Sequence, residues 1–287
     1  MPKGIKKQKK ADAVQIVSET PKFAIGDLSP FITKRLECYD LVPPQKEHRI
    51  VKLILDEPHQ KYFLKCGTEV DGTTRALKYI PKEALMGWAY KLGKQGKDMR
   101  LESGNAAKIG TIAHFLCQCD LMGWEPDLSE CDGILVRSAQ TAFKAYREWW
   151  AQAGLRPIAV EKQLVSHCYR FGGTIDLIAV DKHEELTLVD FKTSSGLWPE
   201  YSYQVAAYAE LWQENFRRLP IQHLLLVRID KETGEYEAFS KLIKTPGLKI
   251  LALTHISNSI ETINPIKEMI KSAHAEGVKV LIDGAIS

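Results

Sequence analysis

The pattern of apolar and polar positions over residues 170–193, RFGGTIDLIAVDKHEELTLVDFKT, predicts two strands folded back through a polar turn. Thr174–Val180 and Leu186–Lys192 are rich in Ile, Leu, Val and Thr, and Asp181 to Glu185 separate them. Alternation along a strand sets Ile175, Leu177 and Ala179 on one face with Val189 and Phe191. The other face carries Asp176, Asp190 and Lys192. A turn centred on His183 places Asp176 directly opposite Asp190. Opposed cross-strand residues have Cβ atoms roughly 4.5–5.5 Å apart, and like charges there are destabilising. Ile178, Val180, Leu186 and Leu188 make the surroundings of these acids apolar, so the pair needs a cation between its members or one shared proton.

Around the hairpin, helical periodicity predicts three helices before it. One follows Pro81, with Leu85, Trp88, Ala89 and Leu92 inward. Another covers about Ala106–Met122, with Ile109, Ile112, Ala113 and Leu116 inward. The third covers Gly133–Ala153, where Phe143, Tyr146, Trp149 and Trp150 supply core bulk. A strand Ile158–Val165 precedes the hairpin. A helix from Glu200 to Phe216 and strands His223–Ile229 and Glu235–Ser240 follow it. Residues 21–80 read as loops and short strands. The expected fold class is α+β, with a mostly antiparallel central sheet flanked by helices and an N-terminal helical portion.

Composition narrows the setting. Of 287 residues, 45% are hydrophobic and 26% charged, as in an ordinary globule. No stretch is long and apolar enough to span a bilayer, and no signal-peptide core is visible, so a cytoplasmic protein without a membrane partner is expected. The net charge of +3 conceals an asymmetry: MPKGIKKQKK holds five lysines and no acid, leaving the rest at −2. Residues 1–20 read as a basic disordered tail, and any nucleic-acid binding by the body must come from a local patch. Six cysteines show no CxxC spacing; they are expected as buried free thiols, with neither zinc nor an iron–sulfur cluster.

Gly173-Thr-Ile-Asp176, then Asp190-Phe-Lys192-Thr193-Ser194, then Gln204-Val-Ala-Ala-Tyr208 together resemble the PD-(D/E)xK nuclease superfamily, and within it the RecB-like, phage-type exonuclease branch. Gly110-Thr-Ile-Ala-His114 is similar to that branch's helical histidine motif, and Glu161 to its leading glutamate. The resemblance covers about residues 60–240. It implies a restriction-endonuclease-like core using Mg²⁺ or Mn²⁺, ions that prefer oxygen ligands. Asp176 and Asp190 would be the central ligands, joined by the Phe191 carbonyl and by His114 from the neighbouring helix. A lone histidine is by default a satisfied core residue, and the Gly-Thr-x-x-His context turns this one toward the metal. Glu161 would bind directly, through water, or at a second ion. Lys192 would assist the attacking water and offset charge on the scissile phosphate.

Gln204 and Tyr208, four residues apart, share a helical face expected to be exposed beside the acids, where it would hold a phosphate or position Lys192. Val205, Ala209 and Trp212 would pack on the sheet. Thr193 and Ser194 are expected phosphate donors. Trp198, Tyr201 and Tyr203 are candidates for stacking on splayed bases.

Residues 249–285 resemble something else, an internal segment of the pyridoxal-phosphate cysteine desulfurases of the class V aminotransferase fold. The predicted pattern is strand Ile250–Thr254, helix Ile266–Ala275 and strand Val278–Ile282. In that family the aspartate matching Asp283 pairs with the cofactor ring nitrogen, and Asn258 lies near the ring. No Schiff-base lysine motif follows, so pyridoxal phosphate is not expected. The organisation expected is a tail at 1–20, a nuclease domain at 21–245 and a short α/β appendage at 246–287. The function expected is a bacterial or phage-encoded deoxyribonuclease acting on single strands or duplex ends. A nucleic-acid-binding module without catalysis is the alternative, and a fragment of a pyridoxal-phosphate enzyme a third reading.

Overall fold

A computed structural model describes residues 28–55, 60–79 and 83–242, with four short strands beyond them. In chain order come α1 (Pro30–Glu37), β1 (Ile50–Lys52), β2 (Tyr62–Phe63), β3 (Glu69–Gly72), α2 (Thr73–Ala76), α3 (Glu83–Lys94) and α4 (Met99–Met122). Next are β4 (Glu125–Asp127), α5 (Gly133–Ala153), β5 (Arg156–Ser166), β6 (Phe171–Val180) and β7 (Leu186–Lys192). Then follow α6 (Pro199–Asn215), β8 (Ile221–Ile229) and β9 (Tyr236–Leu242). The predicted elements from residue 106 to 240 are all present, most with ends displaced by one to three residues.

Local chemistry sets the helix ends. Asp98 and Asp132 cap α4 and α5, each accepting hydrogen bonds from two first-turn amides. Gly123 and Gly154 close the same helices in left-handed backbone. Asp98 starts α4 seven residues before the apolar periodicity does, because its first turns are largely exposed. Helix α1 forms where the sequence predicts loop and short strand. Ser29 caps it, Pro30 occupies its first turn, and the Ser29 amide and hydroxyl both donate to the Glu184 carboxylate at 2.6 Å. That tie holds α1 against the far turn of the hairpin.

The main sheet runs β2-β3-β6-β7-β8-β9, with β5 on the other side of β6. Four of its pairings are antiparallel; β3–β6 and β7–β8 are parallel. The β7–α6–β8 crossover makes the second of these. One face packs on α6 and α1 through Ile178, Val180, Leu186, Leu188, Leu211 and Trp212. The opposite face packs on α4 and α5 through Leu177, Ala179, Val189, Phe191, Tyr146 and Trp149. Burying each large apolar side chain contributes roughly 1.5–3 kcal/mol. The Phe191 ring meets Tyr146 and Trp149 edge-on at 5.4 and 5.6 Å.

Away from the site, two expectations about burial fail. Leu85 is exposed, because only the Leu92 end of α3 reaches the core. Cys38, Cys66 and Cys168 are exposed free thiols, while Cys117 and Cys119 are buried. Beyond β9, strands β10 (Ile250–Thr254), β11 (Ile256–Ser257), β12 (Thr262–Ile263) and β13 (Lys279–Asp283) are described, and β10 and β13 pair in parallel, Thr254 opposite Asp283. The predicted tail at 1–20, Pro81, Asn258 and the helix at 266–275 lie outside the described residues.

Glycines 172 and 173 hold β6 close to its neighbours. A Cβ on Gly173 would lie 2.7 Å from the Tyr208 ring and 2.9 Å from Leu211. Gly173→Ala is therefore expected to destabilise the fold by about 1–3 kcal/mol, read as a lower urea midpoint at unchanged m-value.

Candidate active site

Strand β6 changes partners along its length. Leu177–Val180 pairs with β7, while Phe171 and Gly172 pair with β3. Residues 173–176 lie between these two ladders. The β6–β7 register is the one predicted from a turn at His183, and one more step would set Asp176 opposite Asp190. Instead the ladder stops at Leu177 and Val189, and the Phe191 amide donates to Asp176 Oδ2 at 2.8 Å.

On its other edge, β6 pairs Leu177 with Val160 and Ile175 with Lys162, skipping Asp176 and Glu161. Glu161 sits there at φ 47°, a left-handed backbone that costs a non-glycine residue of order 1–3 kcal/mol. The irregularity breaks the alternation of side chains. Ile175 consequently joins Ile178 and Val180 beneath α6, and not Leu177 and Ala179 as simple alternation predicts. It also lets Glu161 and Asp176 gather with a residue from α4.

That residue is His114, whose Nδ1 lies 3.5 Å from Asp176 Oδ2. Ile112, Ala113 and Leu116 bury α4 around it. Gly110 lets the helix approach the end of β7, since a Cβ there would lie 3.2 Å from Thr193 Oγ1. One donor atom from each of His114, Glu161 and Asp176 lies within 4.8 Å of the others. Asp190 lies outside that trio. Its carboxylate is fully buried and ion-paired with the Lys192 ammonium, and neither oxygen receives a well-aligned hydrogen bond.

Charge and burial oppose each other throughout the cluster. Burial works against an imidazolium at His114, but Asp176 and then Glu161 raise it to about 9. Burial, then the Asp176 charge, pushes Glu161 up to about 8. Burial lifts Asp190 to about 6 against the pull of Lys192. Asp176 resists burial and stays below the usual carboxylate range, held there by His114, Lys192 and the Phe191 amide. Lys192, disfavoured by burial, is raised by Asp190 and Asp176.

The donor set suits a hard divalent cation. Two carboxylates and an imidazole converge, and a third carboxylate with unmet acceptor capacity lies beside them. An excess of buried negative charge is what such an ion offsets.

Helix α6 supports the cluster from beneath. Gln204 Nε2 donates to Tyr208 Oη at 2.8 Å. The face expected to be exposed is not: Tyr208 is 4% exposed, its ring filling the space that Gly173 leaves. Burial and the charges of Asp190 and Asp176 raise its phenol, so it stays a neutral hydroxyl near the acids. Val205, Ala209 and Trp212 are buried, as predicted.

His114, Phe191, Lys192, Thr193 and Ser194 line an open cleft of about 210 Å³. Ser194 Oγ donates to the Gly196 carbonyl at 2.6 Å. Tyr201 and Lys231 line the cleft too, and Lys231 belongs to no motif read from the sequence. Tyr201 lies with its ring 5.1 Å from Lys192 Nζ, a cation–π contact. Lys231 follows β8, and its signal was its place just past the parallel neighbour of β7.

Comparison with known proteins agrees on the family. Residues 120–274 match the PD-(D/E)XK nuclease superfamily. The match begins after His114 and continues past β9, so it overlaps the segment read as an appendage. Short stretches are also similar to cysteine desulfurases. The identity is 36% over 93 residues with the Synechococcus elongatus protein, covering 31% of this chain and 14% of that one. It is 50% over 50 residues with the Cronobacter sakazakii protein, covering 16% and 12%. For an Escherichia coli protein it is 57% over 37 residues, covering 13% and 9%. This chain thus spans only 9–14% of the length of these relatives. The 37-residue match is as long as the segment 249–285 singled out in the sequence. The superfamily match, by contrast, covers more than half of the chain and takes in Glu161, Asp176, Asp190 and Lys192, and by it the protein belongs to the PD-(D/E)XK nucleases, a superfamily of metal-dependent nucleases.

Proposed function

We propose that the chain is a Mg²⁺- or Mn²⁺-dependent deoxyribonuclease of the RecB-like kind, an exonuclease working on single strands or duplex ends in phage or mobile-element DNA processing. Its nuclease domain would span residues 21–245, with 246–287 as an appendage. One observation carries this reading. His114, Glu161 and Asp176 converge beside a buried Asp190–Lys192 pair, and His114 and Lys192 line the same cleft.

In this reading His114, Glu161 and Asp176 hold the cation, with Asp190 and the Phe191 carbonyl as the further ligands expected from the motif. A divalent ion there supplies Lewis acidity and a bound water of lowered pKa. Lys192 presents a compact positive charge toward the cleft, stabilising negative charge that develops on the scissile phosphate. Tyr201 and Asp190 restrict its ammonium from two sides. The Thr193 hydroxyl would orient a phosphate, and the Ser194 hydroxyl would do so on turning its proton away from the Gly196 carbonyl. Gln204 and Tyr208 act from below, packing against β6 and steadying the Asp176–Asp190 region.

Lys192→Ala is expected to lower the cleavage rate by about 10²–10³-fold or more while metal and DNA binding persist. Labelled single- and double-stranded DNA with Mg²⁺ or Mn²⁺ provides the assay. Wild-type turnover by the variant would remove Lys192 from the mechanism. Binding of DNA without cleavage by the wild type would favour a non-catalytic binding module. End-labelled substrates show polarity, because an exonuclease releases short products from one end first.

The pKa shifts predict how the metal-free protein responds to pH. Folded Glu161 titrates at about 8 against an ordinary 4.5, and folded His114 at about 9 against 6.5. In each window the folded state binds more protons than the unfolded state, so stability falls as pH rises. In EDTA the melting temperature is expected to drop between pH 6 and pH 9. Mg²⁺ or Mn²⁺ should raise it more at pH 8 than at pH 6, because binding displaces those protons. A flat profile with and without metal would argue against the trio as ligands.

A further inference from the structure

Strands β7 and β8 run parallel, with Lys192 opposite Arg228. Their carboxyl ends open into the same cleft, the usual place for a ligand beside parallel strands. Lys192, Thr193 and Ser194 come from one end, and Lys231 from the other. The turn carrying Lys231 is tightly built. Asp230 Oδ1 accepts from the Glu232 and Thr233 amides at 2.7 and 3.0 Å, and Asp230 Oδ2 accepts from Arg228 at 2.6 Å. Gly234 closes it at φ 73°, packed near Thr141.

Lys231 is half-buried on this platform. The acidic groups that act on it are Glu232, Asp230 and Glu102, of which Asp230 is already engaged by Arg228. Among the described residues its ammonium has no carboxylate within ion-pair distance. Burial consequently pushes it below the usual lysine range. Lys192, the cleft's other lysine, is committed to Asp190. The cleft therefore holds a second lysine, carried on a hydrogen-bonded turn and without a carboxylate in ion-pair contact among the described residues.

We propose that Lys231 binds a non-scissile phosphate of the DNA strand, holding the backbone so that the neighbouring phosphate lies against Lys192 and the acidic trio. This rests on the nuclease reading above and adds a backbone-positioning residue that touches substrate but takes no part in the chemistry. A contact of this kind is indifferent to base identity and sensitive to salt.

The test is steady-state cleavage by wild type, Lys231→Gln and Lys231→Arg across a salt series, with Lys182→Gln, on the exposed hairpin turn, as control. Lys231→Gln is expected to raise KM about tenfold at unchanged kcat, the loss of one charge-assisted phosphate contact. The slope of log(kcat/KM) against log[salt] should become shallower by about 0.7–0.9. Lys231→Arg should restore most of both, and Lys182→Gln should match wild type. A far-ultraviolet spectrum and melting temperature equal to wild type show that Lys231→Gln folds. Wild-type KM and slope in Lys231→Gln, or an equal loss in kcat and Lys231→Arg as poor as Lys231→Gln, would overturn the assignment while leaving the nuclease reading intact. Absence of any cleavage by the wild type would remove both.

Discussion

Buried negative charge is the constraint around which this molecule is arranged. Burial and the nearby Asp176 charge raise both Glu161 and Asp190, and Asp190 adds to the rise at Glu161, within a wall of aliphatic and aromatic side chains. Such a cluster is expensive to bury unless positive charge meets it. The chain provides two such charges, the His114 imidazolium against Asp176 and the Lys192 ammonium against Asp190. Each comes from a different element, so the cluster forms only when α4 has docked on the sheet. Three carboxyl groups against two cationic groups leave one acid, Glu161, that keeps its proton until about pH 8, and a divalent ion can take that proton's place.

Backbone geometry turns that condition into a site. Had β6 paired with β7 along its whole length, Asp176 and Asp190 would face each other across a regular ladder. The change of partner frees residues 173–176, and the skipped pair at Glu161 and Asp176 twists both side chains out of strict alternation. The strain at Glu161 is the local cost of presenting a third acid to His114. Stabilisation comes from well-packed surroundings: the aromatic group around Phe191 on one face, Tyr208 and Trp212 on the other. Glycines at 110, 172 and 173 allow those layers to approach the acids closely.

Much of this was legible in the residues. Alternation gave the hairpin and its register, because both strands are long and bounded by polar residues. Helical periodicity gave α5 to the residue. The parts that escaped were those where local pattern and tertiary contact disagree. Helix α1 is short and carries little periodicity, so its stability rests on a cap shared with Glu184, distant in sequence. Ile175 crossed to the other face because of a backbone irregularity that no alternation rule contains. Tyr208 looked exposed on a helical wheel, yet the absence of a side chain at Gly173 makes room for its ring. Lys231 sits beyond every motif, and only the parallel pairing of β7 with β8 brings it to the cleft.

The same topology bears on the carboxyl-terminal segment. Among the described residues, those lining the cleft all precede residue 232, and β9 adds an outer strand to the sheet. Strands β10 and β13 pair with each other and with no strand of that sheet among the described residues. A two-stranded pair buries little apolar surface by itself. Among the described residues, the donors that would hold a cation and the lysines that would meet phosphate all precede the desulfurase-like segment. The superfamily match itself runs on to residue 274, so the nuclease family and the desulfurase-like stretch share part of this segment, and the desulfurase likeness covers only 9–14% of those longer proteins.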